Sequence, residues 1–576
     1  MAKVKKDYRK KTLNEEISVL DVAVDKSSLS VKETRKLFKR GNAALNANNY
    51  PLAAKNFFKA WEADPDNLGL LTVVSHILAK LGHQAVAIEF LEKAVALHGL
   101  TEDICKVMGE MALSLEMFEA AEKIFAQAVQ FNSQEEKYYI NIATALEGQG
   151  NADGAIQFME EVVKILNESS DCWCYLGALY KDQKAGTKMA LAFERALLFN
   201  PENFVAMNNY ARGLGLTPKV KELAERAIQV APDVAEPHIL LSNYLLYGGD
   251  LSAAWEHYEF RNDPSRGPLQ TVQYTHDIRI WSGQPVYGKT IFIAAEQGIG
   301  DEIYFSQAFH KLIDDGAKLV IGCDKRLVHI FERSYPGVKA FAYKDAVKSG
   351  VRYRYFPEFD ALKKSGTLKV DYSLAIGSIP LHYWKNVLNV KQFPDGYLRA
   401  DDAEISKWKR ELESLGNKPK IGLSWRSGHI EKSRVGHYVG LENLIPLIAE
   451  VDADFICLQY GYTQDELDEV KSKTGKSLCV WPEIDLKNDL EANLAIMSNL
   501  DMVLGPGIAT QMLSLASGTE TWQLGCRPWW AWEMTGDNSI YHSPKSSYWE
   551  PATRAGGDLM WADLVAKVVE AIKKKL

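Results

Sequence analysis

The chain has 576 residues, too many for one hydrophobic core, so two to four domains are expected. Hydrophobic residues make up 47% and charged residues 25%, an ordinary globular composition, and the net charge of −8 argues against nucleic acid as the default partner. No apolar run approaches the roughly 20 residues that span a bilayer, so no membrane span is expected.

Residues 1–33 read as an N-terminal tail. The opening Met1-Ala-Lys-Val-Lys-Lys-Asp-Tyr-Arg-Lys-Lys11 is basic but is not followed by the apolar segment of a secretory signal. The seven cysteines are scattered. The pair Cys172-x-Cys174 falls inside a helical pattern, where buried thiols are expected rather than metal ligands. This usage fits a reduced, cytoplasmic setting.

Residues 34–267 repeat themselves. Ala53, Ala87, Ala121 and Ala155 follow one another at steps of 34 residues. Ala60, Ala94, Ala128 and Ala196 form a second column, and Phe57, Leu91, Phe125, Met159 and Phe193 a third. Pro65, Pro201 and Pro232 close repeats, and Trp173-x-x-Leu176-Gly177-x-x-Tyr180 opens one. Period and residue type match the tetratricopeptide pattern of one helix pair per repeat. Small residues let paired helices approach, and a large apolar residue fills the gap between them. Seven units can be counted, the sixth, around Phe204 to Pro232, being short. Such an array offers a groove for a polypeptide segment or serves as a scaffold for assembly, and supplies no catalysis itself.

From residue 268 the pattern turns to strands alternating with helices. Residues 268–400 form one α/β unit and 401–576 a second, joined by a polar stretch with Pro394, Asp395 and Gly396. In the first, strands are expected over 291–295, 318–322, 338–342 and 371–376. The stretch Thr290 to Phe305 is its centre. Ile291–Ala295 is apolar without alternation, as a strand covered on both faces should be. Glu296-Gln-Gly298-Ile-Gly300-Asp301-Glu302 then gives a tight turn and the first turn of a helix. Asp301 there can cap the helix, or it can face a ligand at the carboxyl edge of the sheet, where open α/β sheets bind.

In the second unit, strands are expected at 420–425, 454–459, 501–504 and 521–524, with an amphipathic helix over 562–576. The turn Gly505-Pro-Gly507-Ile-Ala-Thr510-Gln511 approaches a dinucleotide fingerprint, but has Thr at the third glycine and follows the third strand. It retains the character of an anion site at a helix N-terminus. The loop Arg426-Ser-Gly428-His429-Ile-Glu-Lys432-Ser-Arg434-Val-Gly-His437 brings cations to a neighbouring strand end, and an arginine can grip a diphosphate with two hydrogen bonds. Asp452-Ala-Asp454 precedes its strand, the wrong edge for a ligand, and reads as a turn. No zinc spacing, nucleophile elbow or Walker A sequence is present. The aromatic cluster Trp529, Trp530, Trp532 and Trp549 fits sugar stacking and a buried core equally.

The repeat array, the joining Trp255-x-x-Tyr258-Glu259-x-Arg261 and the block Glu296-Gln-Gly-Ile-Gly-Asp301 together resemble bacterial tetratricopeptide-repeat glycosyltransferases. Their catalytic part is similar to the heptosyltransferase-like GT-B group, and those acting on flagellin look closest. The likeness covers roughly residues 34–570. It implies a helical solenoid followed by two facing Rossmann-like domains. The first, 268–400, would hold the acceptor and the second, 401–576, the nucleotide sugar. It implies an inverting transfer that needs no metal or other cofactor, onto a protein hydroxyl such as a flagellin Ser or Thr. Asp301 matches the family's proposed base, with Glu296 as the rival carboxylate. Ser424, Trp425, Arg426, Gln459, Gly505, Gly507, Thr510 and Gln511 match the donor-binding positions. Gly507 and Met512 stand where heptosyltransferase-like members often carry an Asp and a His, which leaves a nonulosonate carried on CMP as an alternative donor to a heptose. The expected partners are a protein acceptor held by the repeats and a nucleotide sugar. The competing readings are an envelope-glycan transferase and a catalytically silent repeat adaptor.

Overall fold

The computed structural model describes residues 31–47, 49–183, 185–215, 217–263, 266, 271–348, 351–385, 396–427, 438–525, 545–551 and 560–576. The expected basic tail, the linker residues Pro394 and Asp395, most of the cationic loop (428–437) and the tryptophans at 529, 530 and 532 lie outside the described residues. The chain divides into two compact units, Met1–Gly213 and Leu214–Leu576.

Among its described residues the first unit is all helix, eleven helices from Val31–Asn46 to Phe204–Gly213. Several starts are fixed by side chains that take up a free backbone amide. Asn67 Oδ1 accepts from Leu70 N at 3.2 Å, Asn151 Oδ1 from Gly154 N at 3.0 Å, and Ser169 Oγ from Cys172 N at 3.0 Å. The three sequence columns all point inward. Ala53, Ala87, Ala121 and Ala155 are fully buried, and so are Phe57, Phe125, Met159 and Phe193.

The structure adds a fourth column, of glycine, at twice the repeat step. A Cβ built on Gly41, Gly109 or Gly177 would lie 2.6, 2.6 or 2.8 Å from the ring of Phe57, Phe125 or Phe193. The first helix of each of these pairs is therefore glycine where the ring of the second lies flat against it. Cys172 and Cys174 are buried thiols, and burial pushes them up to about 11 and about 12.

The second unit begins with three more repeat helices, Pro218–Val230, Ala235–Tyr247 and Leu251–Tyr258. Their buried face joins the core of the α/β part. Leu245, Leu246, Leu251, Ala254, Trp255 and Tyr258 lie in one cluster with Tyr304, Phe305 and Trp384. The boundary between the compact units thus falls inside the short sixth repeat.

Three sheets follow. In the first parallel sheet the order is β4 (Lys339–Ala342), β3 (Lys318–Cys323), β2 (Thr290–Ala294), β7 (Tyr372–Ala375). Ile293 pairs with Ile321 on one side and Leu374 on the other, the apolar middle of a doubly covered strand. The second parallel sheet runs β12 (Ser546–Trp549), β11 (Thr521–Leu524), β10 (Met502–Gly505), β8 (Lys420–Leu423), β9 (Asp454–Cys457). A third, small sheet joins β1 (Gln273–Tyr274), β6 (Val351–Tyr355) and β5 (Lys344–Lys348), the last two antiparallel. The closing helix Trp561–Lys575 buries Leu564, Val568 and Ile572 and ends in lysines. Among the described residues no helix is long and apolar enough to cross a membrane.

Candidate functional site

Strand β2 delivers the chain to Ala295, whose amide donates to the Gly322 carbonyl at 2.8 Å. The strand then breaks. Gln297 has φ of 35°, in the left-handed region that side chains rarely adopt, and Gly298 starts the helix Ile299–Ser306. Asp301 caps that helix, its Oδ2 accepting from the Gly298 amide at 3.2 Å. It is half-buried. The dipole at a helix N-terminus favours the charged carboxylate, but here the surrounding protein outweighs it. Burial pushes the carboxyl up to about 6, the Glu296 carboxylate adds to the rise, and the Gly298 amide offsets only part of it.

Glu296 is fully buried and both of its oxygens are engaged. Arg261 grips it twice, Nε to Oε2 at 3.0 Å and Nη2 to Oε1 at 2.7 Å. Asn262 Nδ2 donates to Oε2 at 2.9 Å and the Gly377 amide to Oε1 at 2.6 Å. Glu302, next to Asp301, faces the other way, into the protein. It accepts from the Asp324 amide at 2.8 Å and the Tyr343 hydroxyl at 3.1 Å, and burial pushes it up to about 8. Sequence reasoning missed this second perturbed carboxyl, and adjacency to Asp301 was the only signal for it.

The donor-side positions come together at the carboxyl ends of β8, β9 and β10. Gln459 is buried; its Oε1 accepts from the Trp425 and Arg426 amides, both at 2.9 Å, and its Nε2 donates to the Tyr460 carbonyl at 2.9 Å. It ties the end of β8 to the end of β9. Trp425 Nε1 donates to Glu466 Oε1 at 2.8 Å, and the Arg426 fork lies on the same carboxylate, Nη2 to Oε2 at 3.0 Å. Ser424 Oγ accepts from Gln511 Nε2 at 2.9 Å. That bond runs across Gly505, where a Cβ would lie 2.3 Å from both atoms. Gly507 is exposed, and a Cβ there would meet Gln523 Nε2 at 2.4 Å. The Oε1 atoms of Gln511 and Gln523 are buried without a hydrogen-bond partner among the described residues. They are two acceptors behind the glycine turn, and Gln523 was not singled out from sequence. The helix Ala509–Ser517 starts at Ile508 with no side-chain cap, and Thr510 is half-buried in its first turn.

The two glycine turns meet. A Cβ built on Gly300 would lie 3.5 Å from the Ala509 Cα, so the helix carrying Asp301 and the helix after Gly507 touch within their first turns. At the opposite edge, Asp452 and Asp454 are held by Lys418 at 2.7 Å and Lys420 at 2.8 Å; Asp452 lies before β9 as expected from sequence, whereas Asp454 is the first residue of that strand. Among the described residues no group of three or more His, Cys, Asp or Glu is placed to hold a metal ion.

The tetratricopeptide repeat family matches residues 136–165. The chain is similar to Protein FlbA of Caulobacter vibrioides, 28% identical over 505 residues, covering 85% of this chain and 83% of that protein. It is also similar to Protein O-mannosyl-transferase TMTC1 of Homo sapiens, 22% identical over 193 residues, covering 32% of this chain and 22% of that protein, about a fifth of its length. A solved tetratricopeptide repeat protein from Parabacteroides merdae has a TM-score of 0.29 at 14% identity, covering 40% of this chain and 91% of that one. Repeats, helical solenoid and following parallel sheets thus define a tetratricopeptide-repeat protein with an appended α/β part. Its similarity to a named glycosyltransferase is distant.

Proposed function

We propose that the protein is an inverting glycosyltransferase of GT-B arrangement that moves a sugar from a nucleotide donor to a protein hydroxyl, with Asp301 as general base. The acceptor oxygen attacks the anomeric carbon, the bond to the donor phosphate breaks, and Asp301 takes the hydroxyl proton. The phosphate charge that develops falls to the amides at the start of the helix Ala509–Ser517 and to Arg426. In this reading 268–400 holds the acceptor hydroxyl, 401–576 the nucleotide sugar, and no metal is called on. The repeats of 34–267 capture the acceptor polypeptide. The name of the human relative supports a protein acceptor, and the sequence resemblance points to flagellin.

One observation carries the reading: a half-buried carboxyl, raised to about 6, stands on a helix that touches the helix of an uncapped glycine turn. A base poised near neutral pH is the arrangement general-base catalysis favours. Glu296 does not fill this role here, because its oxygens already accept from Arg261, Asn262 and Gly377. A thermal-shift series with CMP-, UDP-, GDP- and ADP-linked sugars tests the donor. Stabilisation by one of them is expected, since a ligand that binds only the folded chain raises its melting temperature by mass action. Absence of any shift with all four, up to millimolar concentration, would overturn the reading.

A further inference from the structure

The Glu296–Asp301 turn is not held by its own sheet alone. The last repeat hairpin supplies much of what surrounds it. Trp255 is buried and its Nε1 donates to the Trp384 carbonyl at 3.0 Å, which fixes the hairpin against the α/β part. From there Tyr258 reaches the turn. Its hydroxyl receives Gln297 Nε2 at 3.4 Å, the residue with the left-handed backbone, and its ring packs on Phe305 of the Asp301 helix at 6.4 Å. Backbone in that region persists where neighbours over-determine it.

Arg261 completes the contact. Its guanidinium stacks on the Tyr258 ring at 4.5 Å and is itself buried. Besides Glu296 it donates to Glu259 Oε1 at 2.9 Å and Ser378 Oγ at 2.8 Å, while Ser378 Oγ donates to Glu259 Oε2 at 2.8 Å. A Cβ on Gly377 would lie 2.6 Å from Glu296 Oε1 and 3.1 Å from Arg261 Nη2, so the ion pair fills the space that a side chain there would take.

We propose that Tyr258 and Arg261, the end of the repeat array, are positioning residues that hold the Glu296–Asp301 turn and set the charge felt by Asp301. This rests on the reading of Asp301 as the base. Among the described residues, the charged or titratable groups facing Asp301 are Glu296, Arg261 and Tyr258. The helix Ala509–Ser517, which packs against Gly300, carries no charged side chain. Glu296 and Arg261 act on Asp301 with opposite sign, and each holds the other in place.

The opposition gives a test that a merely structural role would not pass. The ionisation of Asp301 is read in the full chain by the pH dependence of its carbodiimide modification, followed by peptide mass spectrometry, with the pH–rate profile of transfer measured alongside. Glu296→Gln removes the anion and should lower the midpoint from about 6 by about one unit. Arg261→Met removes the cation and should raise it by a similar amount. Arg261→Lys keeps the charge, so its midpoint should stay near that of the natural chain while kcat falls and KM for the donor holds. Tyr258→Phe serves where Arg261→Met does not fold, and should likewise lower kcat alone. Midpoints that all coincide, or that move in one direction in both charge variants, overturn the inference. If the natural chain transfers no sugar while the midpoints separate as described, the base assignment fails and the positioning stands.

Discussion

Arg261 and Glu296 form a buried, two-point ion pair that links the last repeat hairpin to the turn at the end of β2, with Nη2–Oε1 at 2.7 Å and Nε–Oε2 at 3.0 Å. Removing one partner of such a pair strands a buried charge and costs about 3–5 kcal/mol. The repeats and the sheet are therefore joined chemically at the candidate site, where sequence periodicity suggested only a boundary near residue 267.

That junction changes how the repeats are to be tested. A fragment beginning at residue 267 loses Trp255, Tyr258 and Arg261, and should not yield a cooperatively folded protein. A fragment spanning 214–576, the second compact unit, should fold, bind nucleotide sugar and lose transfer to the intact protein acceptor. Circular dichroism melts and transfer assays on both fragments decide this. Full transfer by the 214–576 fragment would remove the first unit from acceptor capture.

Arg426→Ala should weaken nucleotide-sugar binding by about 1.5–3 kcal/mol, the range for a lost charge-assisted hydrogen bond. Its fork already lies on Glu466 at 3.0 Å, so phosphate must compete with that carboxylate. Glu466→Gln should accordingly tighten binding. Titration calorimetry reads both, and unchanged affinity in Arg426→Ala would take the residue out of the site.

Stability should fall as pH rises across the range in which Asp301 and Glu302 ionise. Their folded values, about 6 and about 8, lie above the ordinary 3.8 and 4.5. The native chain therefore binds more protons than the unfolded chain between those limits, and raising pH through them favours unfolding. Glu302→Gln should flatten the fall between about pH 5 and 8. Melting temperatures over that range check the sign, and an identical slope in the variant would remove Glu302 as its source.

Much of this was legible in the sequence. Columns at steps of 34 residues located the buried faces of the repeats, because alanine and phenylalanine at fixed positions have one geometric use there. Apolar runs located β2, β3, β8, β10 and β11, since strands buried on both faces need no alternation. Strands β5 and β6 were not foreseen. Lys-Asp-Ala-Val-Lys and Val-Arg-Tyr-Arg-Tyr carry charges in place of an apolar face, and they are held together by Asp345 pairing with Arg352 and Arg354. At the site, the turn of Asp301 was visible as glycine spacing. The sign of its titration was not, because burial is a property of the surrounding fold. Gln523 gave no signal for the same reason, and Glu302 none beyond its adjacency to Asp301.

The central claim is tested most directly by the transfer rate of Asp301→Asn against pH. Asparagine keeps the size and can still cap the helix, but cannot take a proton. The natural chain should gain activity as pH rises through about 6, as the carboxyl ionises. The variant should melt near the same temperature, bind donor with the same affinity, and transfer about 10²–10⁴ times more slowly, without that rise. A folded Asp301→Asn chain that transfers sugar at near-normal rate with the rise through pH 6 intact would contradict the account.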